Sequence, residues 1–182
     1  EIVLPASIKQ IEKIHNLIDD YVNTPSSWSG TVHINDELKA SGKYNRKTGD
    51  ITLRTNSSLK SKIHETLHSR TVYDAKSKGI DFVNGCMNEG SVELLAEVIC
   101  EDHGIPINRT YVEKVDALIN VSDILGIERK EFAKKLFTTP YSQRYSMLDE
   151  LTTKKIDEGA LTPLDEASLV NCMDVLYGRT KK

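Results

Sequence analysis

The sequence predicts an α+β fold: a small antiparallel or mixed sheet beside one helix that carries the chemistry, followed by a helical C-terminal lobe. Three observations predict it. Asp50-Ile51-Thr52-Leu53-Arg54 alternates apolar and polar residues behind the turn sequence Asn45-Arg46-Lys47-Thr48-Gly49, the pattern of a hairpin's return strand. Ile8, Ile11, Ile14, Leu17, Ile18 and Tyr21 recur at helical spacing over residues 7–22. From Ile105 onward the apolar period stays helical, with no strand-like alternation. The natural division is therefore residues 1–104 and 105–182, two lobes of one compact domain.

Taken in order, the first helix is followed by a loop at Thr24-Pro25-Ser26-Ser27-Trp28-Ser29-Gly30, rich in turn formers. His15 lies beside the apolar stripe of that helix and is expected to be a surface or partner-bonded histidine. Thr31-Val32-His33-Ile34 reads as a short strand, with Val32 and Ile34 on one face. A second strand is expected at residues 42–44, pairing with 50–54, where Ile51 and Leu53 face the core and Thr52 and Arg54 face out. Ser57 or Ser58 suits an N-cap, because a serine oxygen accepts from an otherwise orphaned N–H of the first turn. The helix it opens is expected to run to Tyr73 or Ala75, with Lys78-Gly79 ending it and Asn84-Gly85 forming a turn.

That helix contains His64-Glu65-Thr66-Leu67-His68, the H-E-x-x-H pattern of helical zinc sites. Two histidines four residues apart lie one turn apart on one helix face, so both imidazoles reach one ion. Glu65 stands beside the first ligand, placed to act on a water without binding the metal. Ile63 and Leu67 form an apolar pair that pins the helix to the core. A catalytic zinc site needs a third protein ligand and one open position.

The third ligand is sought twenty residues beyond His68, in Asn88-Glu89-Gly90-Ser91-Val92-Glu93. From Asn88 to Glu101, Val92, Leu95, Ala96 and Ile99 recur at helical spacing, and Gly104 ends the segment, with His103 in its last turn. Glu89 and Glu93 share a face. Glu89 would complete a His2Glu set, and Glu93 would accept from the far nitrogen of a ligand histidine and fix its tautomer. The reverse assignment, Glu93 as ligand and Glu89 behind it, stays open. Glu97 and Glu101 continue the acidic stripe and are expected to be solvated.

His64, Glu65 and His68, followed by Asn88-Glu89-Gly90, resemble the gluzincin branch of zinc metallopeptidases. The longer pattern His-Glu-Thr-Leu-His-Ser-Arg with Asn-Glu-Gly is also similar to small zincin modules of phage head-morphogenesis proteins and related mobile elements. The likeness spans residues 50 to 101. It implies a zincin-like fold and one Zn2+ per chain, held by His64, His68 and Glu89. It also implies Glu65 as general base, Glu93 in support of a histidine, and a protein or peptide substrate. In that arrangement the strand before the metal helix borders the cleft, and an extended peptide pairs along its edge. An oxyanion stabiliser is sought in Tyr141, Arg144 and Tyr145, with Tyr73 on the metal helix as a further candidate. The alternative is a non-catalytic zincin-fold module with a structural or interaction role.

The helical half is expected at 108–125, broken by Gly126, then 128–137, 141–156, and a last helix opened by Thr162-Pro163 and ending at Gly178. Apolar residues at 38% and charged residues at 28% place the chain among globular domains and exclude disorder. A net charge of −3 argues against nucleic acid as a partner, since binders concentrate basic residues. No apolar run reaches membrane-spanning length, and no signal peptide is visible, so the expected location is cytoplasmic, or the virion if the phage resemblance holds. Cys86, Cys100 and Cys172, odd in number and without metal-ligand spacing, read as free buried thiols.

Overall fold

The computed structural model describes residues 5–74 and 82–178 and is α+β. The described residues form α1 (Pro5–Asp19), β1 (Val32–Ile34), β2 (Gly42–Tyr44), β3 (Ile51–Leu53), α2 (Leu59–Ser69), α3 (Phe82–Asp102), α4 (Val112–Leu125), α5 (Arg129–Thr138), a 3-10 turn at Tyr141–Gln143, α6 (Arg144–Asp157) and α7 (Pro163–Tyr177). The chain gathers into two compact units, Glu1–Thr71 with Ile99–Asn108, and Val72–Val98 with Arg109–Lys182. No helix among the described residues is long and apolar enough to cross a membrane.

In the first unit, α1 buries Ile11, Ile14 and Ile18 and ends at Asp19, three residues short of the apolar pattern. Tyr21 and Val22 are still buried, in the turn that follows. The hairpin of β2 and β3 forms as expected, with Lys43 opposite Thr52, and Ile51 and Leu53 in the core. Gly49 closes it at φ +78, a left-handed conformation that costs glycine nothing. The third strand changes the edge. β1 pairs with β3 in parallel, Val32 beside Ile51, so the order is β1-β3-β2 and the sheet is mixed. The strand before α2 (Leu59–Ser69) is thus the central one, and the edges of this sheet are β1 and β2. Alternation along one strand reports which face is buried and carries no record of who lies alongside.

Ser58 caps α2 as expected, its side chain accepting from Ser61 N–H. The helix stops at Ser69, earlier than its sequence suggested. Thr71 and Val72 are β-branched and stiff at χ1. Arg70 is drawn into tertiary bonds, its Nη2 to Asp19 at 2.6 Å and its Nε to the Thr24 carbonyl at 2.7 Å. Arg70 Nη1 also meets His15 Nδ1 at 3.3 Å, and the His15 ring stacks on Trp28. Burial, and then the Arg70 charge, pull the His15 pKa down to about 4, so this imidazole is neutral at pH 7. His15 is the partner-bonded histidine that its place beside the stripe predicted.

In the second unit, α4 packs along α7, with α5 and α6 against α4. Val115, Leu118, Val121, Phe132, Leu136, Phe137, Leu148, Leu169 and Leu176 form its core. Gly126 at φ +71 and Gly178 at φ +80 end their helices, and Thr162 caps α7 ahead of Pro163, as their types predict. Asn84-Gly85 is not a turn, because α3 already includes both residues. Near a helix start such a pair costs little, and the helix continues through the long apolar run to Ile99. The Lys78-Gly79 stop lies outside the described residues.

Candidate metal centre

Residues Ile63 and Leu67 of α2 are fully buried, so they fix its rotation. Successive turns then carry His64 and His68, 6% and 7% exposed, with their Nε2 atoms 3.1 Å apart. The rings meet edge to face at 4.8 Å between centroids. Two nitrogens on one tetrahedral zinc, each at about 2.0–2.1 Å, stand roughly 3.3 Å apart, so this pair suits a shared ion. One ligand atom from each of His64, His68 and Glu89 lies within 4.8 Å of the other two. Two imidazole nitrogens and one carboxylate oxygen are a donor set proper to catalytic zinc, which keeps a further position open. The described residues thus fit the ion that the motif implies.

Next along α2, Glu65 is 8% exposed, its Oε1 4.0 Å from His64 Nε2. That separation is too long for a hydrogen bond and leaves the carboxylate beside the cluster. What holds it there was not foreseen. A Cβ at Gly42 of β2 would lie 2.7 Å from Glu65 Cγ and 3.3 Å from Cδ. Strand β2 therefore lies directly on the Glu65 side chain, and only a glycine admits the approach. The available signal was a glycine inside a predicted strand, which often marks close contact.

Helix α3 separates its four glutamates. Glu89 is half-buried and belongs to the cluster. Glu93 is fully buried and accepts from Thr110 Oγ1 at 2.9 Å, a partner the sequence did not suggest. Glu97 departs from the expected solvated stripe: its side chain is 12% exposed and pairs with Arg109 at 3.1 Å. Burial and the neighbouring Glu93 raise its pKa, while Arg109 opposes them. Only Glu101 is exposed as expected. The spacing of four put these residues on one face, and α4 with its preceding segment covers the middle of that face through Arg109 and Thr110.

The oxyanion candidates are placed differently from their sequence reading. Arg144 is fully buried, its Nε donating to the Thr139 carbonyl at 3.0 Å, Nη2 to the Phe137 carbonyl at 2.8 Å and Nη1 to Asn88 Oδ1 at 2.9 Å. It is a strut inside the second unit, its donors spent on these three acceptors. Tyr141 is 3% exposed, with its backbone N–H on the Val72 carbonyl and its ring against Tyr73. Tyr73 lies past the end of α2, so it is not on the metal helix. Tyr145 packs edge to face on Tyr177, 4.7 Å between centroids. Cys86, Cys100 and Cys172 are buried and in no disulfide, as their number predicts.

No family model, no curated protein and no solved structure matches this chain.

Proposed function

We propose that this chain is a zinc-dependent peptidase with a gluzincin-like, zincin-type arrangement, in which His64, His68 and Glu89 hold the ion and Glu65 is the general base. The observation that carries the reading is the convergence of those three donor atoms within 4.8 Å, with the Glu65 carboxylate beside them. Bound zinc supplies Lewis acidity, lowering the pKa of a water to about 7 and polarising a carbonyl. Glu65 takes the proton of the attacking water and delivers it to the leaving amine. His64 and His68 would enter as neutral ligands, since a ring nitrogen binds a metal only when it carries no proton. The substrate class is protein or peptide, including a virion protein if the phage resemblance holds.

The ligand set is tested by substitution on α3. Glu89→Ala should strip zinc from protein purified without chelator, while Glu97→Ala, which loses its Arg109 pair, should retain about one ion per chain by elemental analysis. Full zinc in the Glu89 variant would return Glu93 as the ligand.

The general base has its own test in β2. Gly42→Ala inserts a methyl group where Glu65 now lies, and should displace the carboxylate while leaving metal content intact. A misplacement of about 1 Å costs on the order of a hundredfold in rate, so kcat/KM should fall on that scale. Cleavage by Gly42→Ala at the wild-type rate would show that the Glu65 position is immaterial.

A second reading is favoured by one observation. The Arg144 guanidinium donates to carbonyls and to Asn88, which removes one oxyanion candidate and suits a zinc-holding module without turnover. Digestion of a broad peptide library separates the two, since the module binds zinc and cleaves nothing.

A further inference from the structure

Each residue of Asn88-Glu89-Gly90 is tied to a different constraint. Asn88 is 7% exposed, and its Oδ1 accepts from Arg144 Nη1 at 2.9 Å. The same guanidinium is anchored on the Phe137 and Thr139 carbonyls, where α5 ends, and its carbon stands over the Phe137 ring at 5.3 Å. Gly90 lies against α4, where a Cβ would meet Lys114 Cβ at 3.2 Å and Leu118 Cδ1 at 3.4 Å. Glu89, between them, is the half-buried member whose carboxylate belongs to the histidine cluster.

A carboxylate on a helix reaches a ligand position only if the rotation and depth of that helix are set to within a fraction of an ångström. The two neighbours of Glu89 do this from opposite sides of the turn. A planar guanidinium held by two carbonyls is a rigid donor, and a bond from a charged group is about twice as strong as a neutral one. Glycine at 90 brings α4 close on the other side. We infer that Asn88 and Arg144 form a positioning device for Glu89, with Arg144 acting through Asn88 to set where the third ligand stands; this rests on the reading of Glu89 as a zinc ligand. Neither residue need touch the ion. The Asn-Glu-Gly sequence then has a physical account: an amide for the guanidinium, a carboxylate for the metal, and an absent side chain for the neighbouring helix.

The test is zinc affinity, measured by chelator competition on the full chain, in a double-substitution cycle of Asn88→Ala with Glu89→Ala. Asn88→Ala should weaken zinc by roughly ten- to a hundredfold, the scale of an outer partner's loss, with little change in far-UV circular dichroism. Asn88→Asp, which keeps an oxygen for Arg144, should restore affinity close to wild type. In the Glu89→Ala background, Asn88→Ala should weaken zinc no further, because its effect passes through that ligand. A merely structural role predicts equal losses in both backgrounds. Should Asn88→Ala fail to fold, Asn88→Ser takes its place in the same cycle. Wild-type affinity in the Asn88 variant, with weak binding by Glu89→Ala, overturns the positioning role and leaves the ligand reading standing. Wild-type affinity in Glu89→Ala, or no zinc binding by the unaltered chain, overturns both.

Discussion

Glu65→Gln should leave zinc content and thermal stability near wild type and abolish peptide cleavage, with kcat/KM falling by roughly a hundred- to ten-thousandfold, the usual contribution of a general acid–base group. The two halves of that result come from separate features of the site. Glu65 Oε1 stands 4.0 Å from His64 Nε2, outside the three-residue donor cluster, so the ion does not depend on its charge. Glutamine has nearly the same shape and fits beneath Gly42, so the packing of β2 on α2 survives. The amide oxygen is a poor base and cannot take a proton from water. Zinc content by elemental analysis and kcat/KM on one cleaved peptide, measured on the same preparation, check both halves. Equal cleavage by the variant and the wild type would place the activity outside this site, and the proposed mechanism would fall with it.

Arg144→Met should be among the most destabilising single changes in the second unit. Methionine approximates the volume but donates nothing, so Thr139 O, Phe137 O and Asn88 Oδ1 lose their shared donor in a buried setting. Each orphaned buried acceptor costs about 1–3 kcal/mol, so the three together point to a loss of roughly 3–9 kcal/mol. That is a large share of the ~5–15 kcal/mol by which domains are stable. Burial pulls the guanidinium pKa down to about 10, with Tyr73 and Tyr141 opposing, so the group remains charged at pH 7 and its bonds stay charge-assisted. Arg144→Lys should recover only part of the loss, since an ammonium lacks the planar fork that reaches three acceptors at once. Urea melts of the three proteins read the effect directly. A midpoint for Arg144→Met within error of wild type would mean that the strut carries no stability.

What was legible in the sequence is what helix and strand geometry make local. His64 and His68 had to share a face because a helix turns every 3.6 residues, and Ile63 and Leu67 had to face inward on the same account. Ser58, Thr162, Gly126 and Gly178 announced helix ends because caps are chosen by side chains within a few residues. Alternation in residues 50–54 announced a strand with Ile51 and Leu53 buried.

Only the tertiary structure decided the rest, because each remaining fact depends on a residue far along the chain. Strand β3 became central when β1 joined it from the other side. Helix α2 ended at Ser69, where Arg70 turns to Asp19 and Thr24. Four glutamates at one spacing took different roles once Thr110 covered Glu93 and Arg109 paired with Glu97, leaving Glu89 with the histidines and Glu101 in water. Arg144 read as a candidate oxyanion stabiliser and is a buried strut, since burial of a charge is settled by the acceptors that meet it. Gly42 read only as the start of a strand and is where β2 lies against the Glu65 side chain, because what a glycine admits is set by the residue that packs against it.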